Sequence, residues 1–176
     1  MRFRFSTRTL FIVMTFVAVM LASFGAYLSY AASRPNNAIF TLGGDASMEP
    51  YIGAKVYFIA DLNAYRTISP QRWDAVVFDP IPPATISALW VAALPGEMVS
   101  FVDGRMLVNG IEQYLPKSVF GEDSIGLSPP NGSEISHPCI VTNDSYYLVG
   151  GNTTAAKDSR SFGVVARARI VGRVNR

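Results

Sequence analysis

The chain has 176 residues, 49% of them hydrophobic and only 16% charged, with 15 Lys+Arg against 13 Asp+Glu for a formal charge of +2. That length suits one domain, or one small domain with an accessory segment. A charged fraction well below the roughly 25% of an average soluble protein excludes a disordered or charge-driven chain.

The charge is unevenly spread. Residues 1–33 carry three arginines and no acid, and residues 160–176 five arginines and no acid, whereas residues 34–159 hold all 13 acids against seven bases. A nucleic-acid binder places its basic stripe on the main body. This body is acidic, so nucleic acid is excluded as a partner.

Residues 1–8 form a basic N-terminus with Arg2, Arg4 and Arg8, and 25 uncharged residues follow at 9–33. About 20 apolar residues in a helix cross a ~30 Å hydrocarbon core, so 9–33 reads as a transmembrane anchor. Tyr27 and Tyr30 sit toward its far end, where amphipathic aromatics favour the headgroup interface, and the arginines favour a cytoplasmic N-terminus. Residues 34–176 then lie on the periplasmic or extracytoplasmic side, and membrane lipid is a partner. The rival reading is a cleaved signal peptide, with Ser29 and Ala31 as the small residues at the junction. The apolar run is longer than a usual signal core, which favours the anchor.

From residue 39 onward no stretch keeps a 3.6-residue apolar period, and short β-rich runs between turn signals predict a mainly β domain over 34–176. Strands are expected at 55–59, 75–78, 99–102, 105–108 and 146–149. Asp103-Gly104 joins the middle pair, a strong hairpin signal because a type I′ turn needs positive φ at both positions. Residues 165–171 alternate small or apolar residues with arginine, the pattern of one half-buried strand. The Pro-, Gly- and Ser-rich stretch at 114–142 reads as a loop or small insertion. Cys139 is the only cysteine and His137 the only histidine, too few for a zinc site that wants four ligands. They read as a semi-buried thiol and a loop histidine, with no metal and no cofactor expected.

Four blocks stand out: Ser47-Met48-Glu49-Pro50; Trp73-Asp74 with Val76, Val77 and Phe78; Leu94-Pro95-Gly96-Glu97 followed by the Asp103-Gly104 hairpin; and Gly150-Gly151-Asn152 followed by Asp158-Ser159-Arg160 and Gly163. In this order behind an apolar helix they resemble type I signal peptidases, whose matching blocks read Ser-Met-x-Pro, Gly-Asp-x-Val-Val-Phe, Leu-Pro-Gly-Asp and Gly-Asp-Asn…Asp-Ser-Arg…Gly. The resemblance implies a signal-peptidase-like β-domain acting as a membrane-anchored serine endopeptidase on signal peptides of exported preproteins, with small residues near the cleaved bond. It also implies a Ser–Lys dyad. Ser47 is the nucleophile, a neutral lysine takes its proton, and the oxyanion meets the serine's own N–H and a nearby hydroxyl. Asp158, Arg160, Gly96 and Asn152 become structural supports of the site.

The departures cluster at the polar parts. The family lysine stands five residues before Leu-Pro-Gly, which is Leu89 here, with Trp90 in place of the arginine that follows it. The serine that orients the lysine corresponds to Ala156, and the oxyanion hydroxyl to Asp45. Tyr51 stands where the family usually has threonine. Lys157 is the candidate for a relocated base, although neighbours on an extended chain point oppositely. Two readings stay open: an active endopeptidase with an unconventional base, and a pseudo-peptidase that keeps the fold and binds or regulates exported peptides.

Overall fold

The computed structural model describes residues 7–33, 37–41, 45–80, 86–115, 135–152 and 155–175. The chain divides into two units, residues 1–37 and residues 38–176. The first is dominated by α1 (Thr7–Ser33), with no acid in its first turn and no base in its last. Its stretch Thr7–Tyr30 has a mean hydropathy of 2.2, and a helix of this length spans about 36 Å at ~1.5 Å per residue. Phe11, Phe16, Leu21 and Phe24 all lie exposed on it. By length and composition the helix is long and apolar enough to cross a membrane.

The second unit is built from two sheets. Its strands are β1 (Asn37–Thr41), β2 (Tyr57–Asp61), β3 (Ala75–Phe78), β4 (Ser87–Ala93), β5 (Met98–Val102), β6 (Arg105–Val108), β7 (Ile111–Glu112), β8 (Cys139–Ile140), β9 (Ser145–Val149), β10 (Val165–Ala166) and β11 (Ile170–Val174). The larger sheet runs β1-β2-β11-β3-β4-β9-β10 and the smaller β7-β6-β5-β8. The 99–102/105–108 hairpin forms as expected: Val102 pairs with Arg105, and Asp103 and Gly104 both have positive φ, 48° and 75°.

β3 and β4 are buried along their whole length, because they lie inside the larger sheet with apolar layers on both faces. Alternation sorts those layers. Ala88, Trp90 and Ala92 join Met48, Val77 and Val149 on one side; Leu89 and Val91 join Val76, Phe78 and Leu148 on the other. The two sheets meet at the turn after β4. There the Glu97 carboxylate accepts the Leu94 N–H at 2.7 Å and pairs with Arg72 at 2.5 and 2.7 Å, while Arg72 also donates to the Ala92 carbonyl.

Residues 165–171 differ from the single strand expected of them. β10 pairs with β9 at one edge and β11 lies between β2 and β3, so the chain has to cross the sheet between them. It does so through a turn of 3-10 helix at Arg167–Arg169. The Arg167 N–H donates to the Asp144 carbonyl at 2.7 Å and its guanidinium to the Tyr65 carbonyl at 2.6 Å. The arginines that read as the wet face of a strand are fasteners of this crossing. The strand expected at 55–59 likewise begins only at Tyr57, since Lys55 takes a left-handed φ of 65°. Of the stretch 114–142, residues 116–134 lie outside the described residues, and β8 belongs to the part that is described.

Candidate active site

Ser47 opens a turn over residues 47–50 and is 2% exposed, with Met48 after it fully buried in the core. Burial of Met48 fixes the turn, and the Ile52 N–H closes onto the Met48 carbonyl at 3.0 Å. The Ser47 carbonyl accepts the Asn152 N–H at 3.0 Å, which ties the turn to the loop after β9. A β-carbon on Gly150 would sit 2.5 Å from that carbonyl oxygen and 2.3 Å from Ala156 Cβ. Gly150→Ala is therefore expected to displace Ser47 and to lower stability by about 1–3 kcal/mol, the usual cost of forcing an atom into a filled core; thermal unfolding and the proteolytic sensitivity of the 47–50 turn check it.

Asp158 holds the loop from beneath. Fully buried, it caps the short helix α2 (Ser159–Phe162), accepting the Arg160 N–H at 3.0 Å. It also accepts the Gly150 N–H at 2.8 Å and pairs with the Arg160 guanidinium at 2.7 Å, where Arg160 is itself only 2% exposed. Ser159 Oγ takes the Leu148 N–H at 2.8 Å. The Asp158 and Ser159 side chains thus satisfy the Gly150 and Leu148 N–H groups, as buried donors require. A continuous line of bonds runs from Arg160 through Asp158 to Gly150, whose bare α-carbon lies against Ser47.

Position 89 stands beside Trp90, which pairs with Val149 across β4 and β9, and its side chain belongs to the opposite layer of the sheet. Ser87, two residues back on the same face, donates to Asp45 Oδ2 at 3.0 Å. The other oxygen, Asp45 Oδ1, accepts the Ser47 N–H at 2.8 Å. Leu89 is fully buried among Val76, Phe78 and Leu148. The residue that the resemblance makes a base is a hydrocarbon, and the N–H it makes an oxyanion donor is bonded to a carboxylate.

The remaining named residues fall into place around this. Asn152 is half-buried, its Oδ1 accepting the Ala155 N–H at 3.2 Å. Gly96 has φ +84° with no atom near its missing side chain, so its role is conformational rather than steric. Ala156 turns toward Gly150, and its neighbour Lys157 is exposed, as is Lys55; Lys117 lies outside the described residues. His137 Nε2 lies 2.9 Å from the Tyr147 hydroxyl; burial lowers the His137 pKa and raises those of Cys139 and Tyr147. The Asp45–Ser87 bond escaped the sequence reading. Its partners are 42 residues apart, and nothing local to Ser87 announces an acceptor.

The profile of the family described as "Signal peptidase, peptidase S26" matches residues 8–176. A signal peptidase I of Leptolyngbya laminosa is 33% identical over 135 residues, covering 72% of this chain and 62% of the relative. A probable signal peptidase I-2 of Synechocystis sp. is 28% identical over 134 residues, covering 73% and 57%. Signal peptidase IB of Staphylococcus aureus is 26% identical over 149 residues, covering 77% and 74%. The chain thus spans about six-tenths of the length of the two cyanobacterial relatives. Among solved structures, a signal peptidase I of Enterococcus faecalis aligns with a TM-score of 0.48 at 24% identity, over 61% of this chain and 97% of that one.

Proposed function

Because the chain belongs to the signal peptidase family, peptidase S26, we propose that it engages signal peptides of exported preproteins at the trans surface of a membrane and holds them without cutting by a Ser–Lys route. The apolar helix α1 supports single-pass anchoring, and Arg2, Arg4 and Arg8 before the apolar run support a cytoplasmic N-terminus. The observation that carries the reading is the Ser47 N–H bonded to the Asp45 carboxylate, in a chain with Leu89 at the dyad position. A serine hydroxyl attacks a peptide carbonyl only when a neighbour takes its proton, and Leu89 has no group to do so. The tetrahedral oxyanion needs a free donor, and the Ser47 N–H already donates to the Asp45 carboxylate at 2.8 Å. A negative charge there also repels a developing one. An extended peptide with small side chains near Ser47 is bound, and the step that would break it is not supported.

A second reading, an active serine endopeptidase, is favoured by one observation: Ser47 keeps its full support from Asn152, Gly150, Asp158 and Arg160. In that reading Lys157 swings in as the base. The test presents the full chain with a membrane-inserted precursor carrying Ala-x-Ala at its junction. The expected result is a complex that survives purification, no cleavage product, and unchanged binding by Ser47→Ala. A product that disappears in both Ser47→Ala and Lys157→Ala establishes the second reading.

A further inference from the structure

Three departures from the signal peptidase pattern converge on one cavity. Trp73 stands where the Gly-Asp block has glycine, Trp90 where an arginine follows the dyad position, and Tyr51 where threonine is usual. The Tyr51 and Trp90 rings lie 4.7 Å apart at 52°. With Trp73 they wall a cavity of about 320 Å³ completed by Asp74, Arg173 and Asn175. Trp90 and its cross-strand partner Ala75 belong to the face of the sheet opposite Leu89, and the cavity lining reaches the Ser47 turn only through Tyr51, without Ser47, Asp45 or Asn152.

Trp73 has φ +64°, a conformation that glycine adopts freely and a bulky residue does not. Its N–H donates to the Val91 carbonyl at 2.7 Å, which holds the strained turn closed. Strain of this kind persists where the side chain it displays has a use.

The chemistry of the walls selects the ligand. Aromatic faces attract organic cations, most strongly on Trp. Asp74 adds one negative charge, with its Oδ2 also taking the Tyr65 hydroxyl at 3.0 Å and the Gln71 N–H at 2.9 Å. Arg173 adds one positive charge, 4.0 Å from Asp74 Oδ1 and with its side chain 44% exposed. Arg173 repels a simple cation and Asp74 a simple anion, so a zwitterion satisfies both. The planar guanidinium fork matches a phosphate, and a chain carrying a bilayer-length helix meets phosphate–ammonium headgroups in its own surroundings. We propose that this cavity binds a phosphorylated ammonium zwitterion, the shared chemistry of phosphocholine and phosphoethanolamine. The ammonium lies against Tyr51 and Trp73 beside Asp74, with Trp90 behind them, and the phosphate on Arg173.

The test titrates phosphocholine into the full chain in nanodiscs of phosphatidylglycerol alone, read by tryptophan fluorescence and calorimetry. Saturable binding is expected. Trp73→Gly restores the residue that this φ prefers, so the variant folds, and it should weaken binding about tenfold, the scale of one desolvated cation–π contact. Arg173→Gln should weaken phosphocholine by a similar factor and leave choline unaffected. Nanodiscs containing phosphatidylcholine separate the sources. Loss of the response to soluble phosphocholine there means that lipid headgroups fill the site, and an undiminished response means a soluble ligand. No saturable response in phosphatidylglycerol discs, or choline and betaine binding as tightly as phosphocholine, overturns the proposal. Precursor binding at Ser47, followed in the same variants, stays at the unaltered level, so the two readings fail separately.

Discussion

The triple variant Leu89→Lys/Asp45→Ser/Ala156→Ser is expected to cleave an Ala-x-Ala precursor in a Ser47-dependent way, whereas Leu89→Lys alone gains almost nothing. Residue 89 lies in an apolar layer with Val76, Phe78 and Leu148. Such surroundings disfavour an ammonium and push a lysine toward the neutral form a base requires. With Asp45 in place the new amine instead gains a carboxylate neighbour that keeps it charged, and the Ser47 N–H stays occupied. Asp45→Ser removes both obstacles and supplies a hydroxyl donor, while Ala156→Ser supplies an orienting partner. A general base contributes about 10²–10⁴-fold and an oxyanion donor about 10²–10³-fold. Because such groups act as a unit, the triple variant should exceed any single change by about 10⁴-fold or more. Precursor cleavage with a Ser47→Ala control measures it. A folded but inert triple variant would mean that position 89 does not address Ser47.

Asp158→Ala should be the most damaging single substitution for stability. Breaking a buried ion pair from one side costs about 3–5 kcal/mol, because the surviving charge stays desolvated. Here the survivor is Arg160 at 2% exposure, and the Gly150 N–H loses its acceptor as well. Denaturant unfolding of Asp158→Ala, Arg160→Ala and the double variant checks this. The double variant should cost clearly less than the two singles added together, since residues in one network couple. Strictly additive losses would show that the pair is not one unit. A second consequence is local: once Gly150 loosens, the Asn152 N–H no longer holds the Ser47 carbonyl, and exchange of that amide should accelerate more than exchange in the β5–β6 hairpin.

How far the sequence led depends on where each signal was local. The Asp103-Gly104 hairpin and the β3 strand were legible because a two-residue turn and a run of β-branched residues act on their own neighbours. β4 was not, although it is the strand the site is built on. Buried on both faces, Ser87–Ala93 shows no alternation, and its Ala, Leu and Trp fit a helix segment equally well. The crossing at Arg167–Arg169 was missed because its cause is the position of β2 and β3, about ninety residues or more upstream. At the site, Ser47, Asp158 and Arg160 could be named from the resemblance, as could the absence of a lysine at 89. The partner of Asp45 could not, since only the folded register of β4 brings Ser87 to it.

The strand order has a consequence for when this protein takes shape. β11, the last described strand, lies between β2 and β3, so the early half of the larger sheet has a gap at its middle until residues 170–174 arrive. Domains of many proteins condense while still being synthesised. This one cannot join β2 to β3 until nearly all of its described sequence has left the ribosome. Until that last strand arrives, the edges of β2 and β3 that it will join stay unpaired.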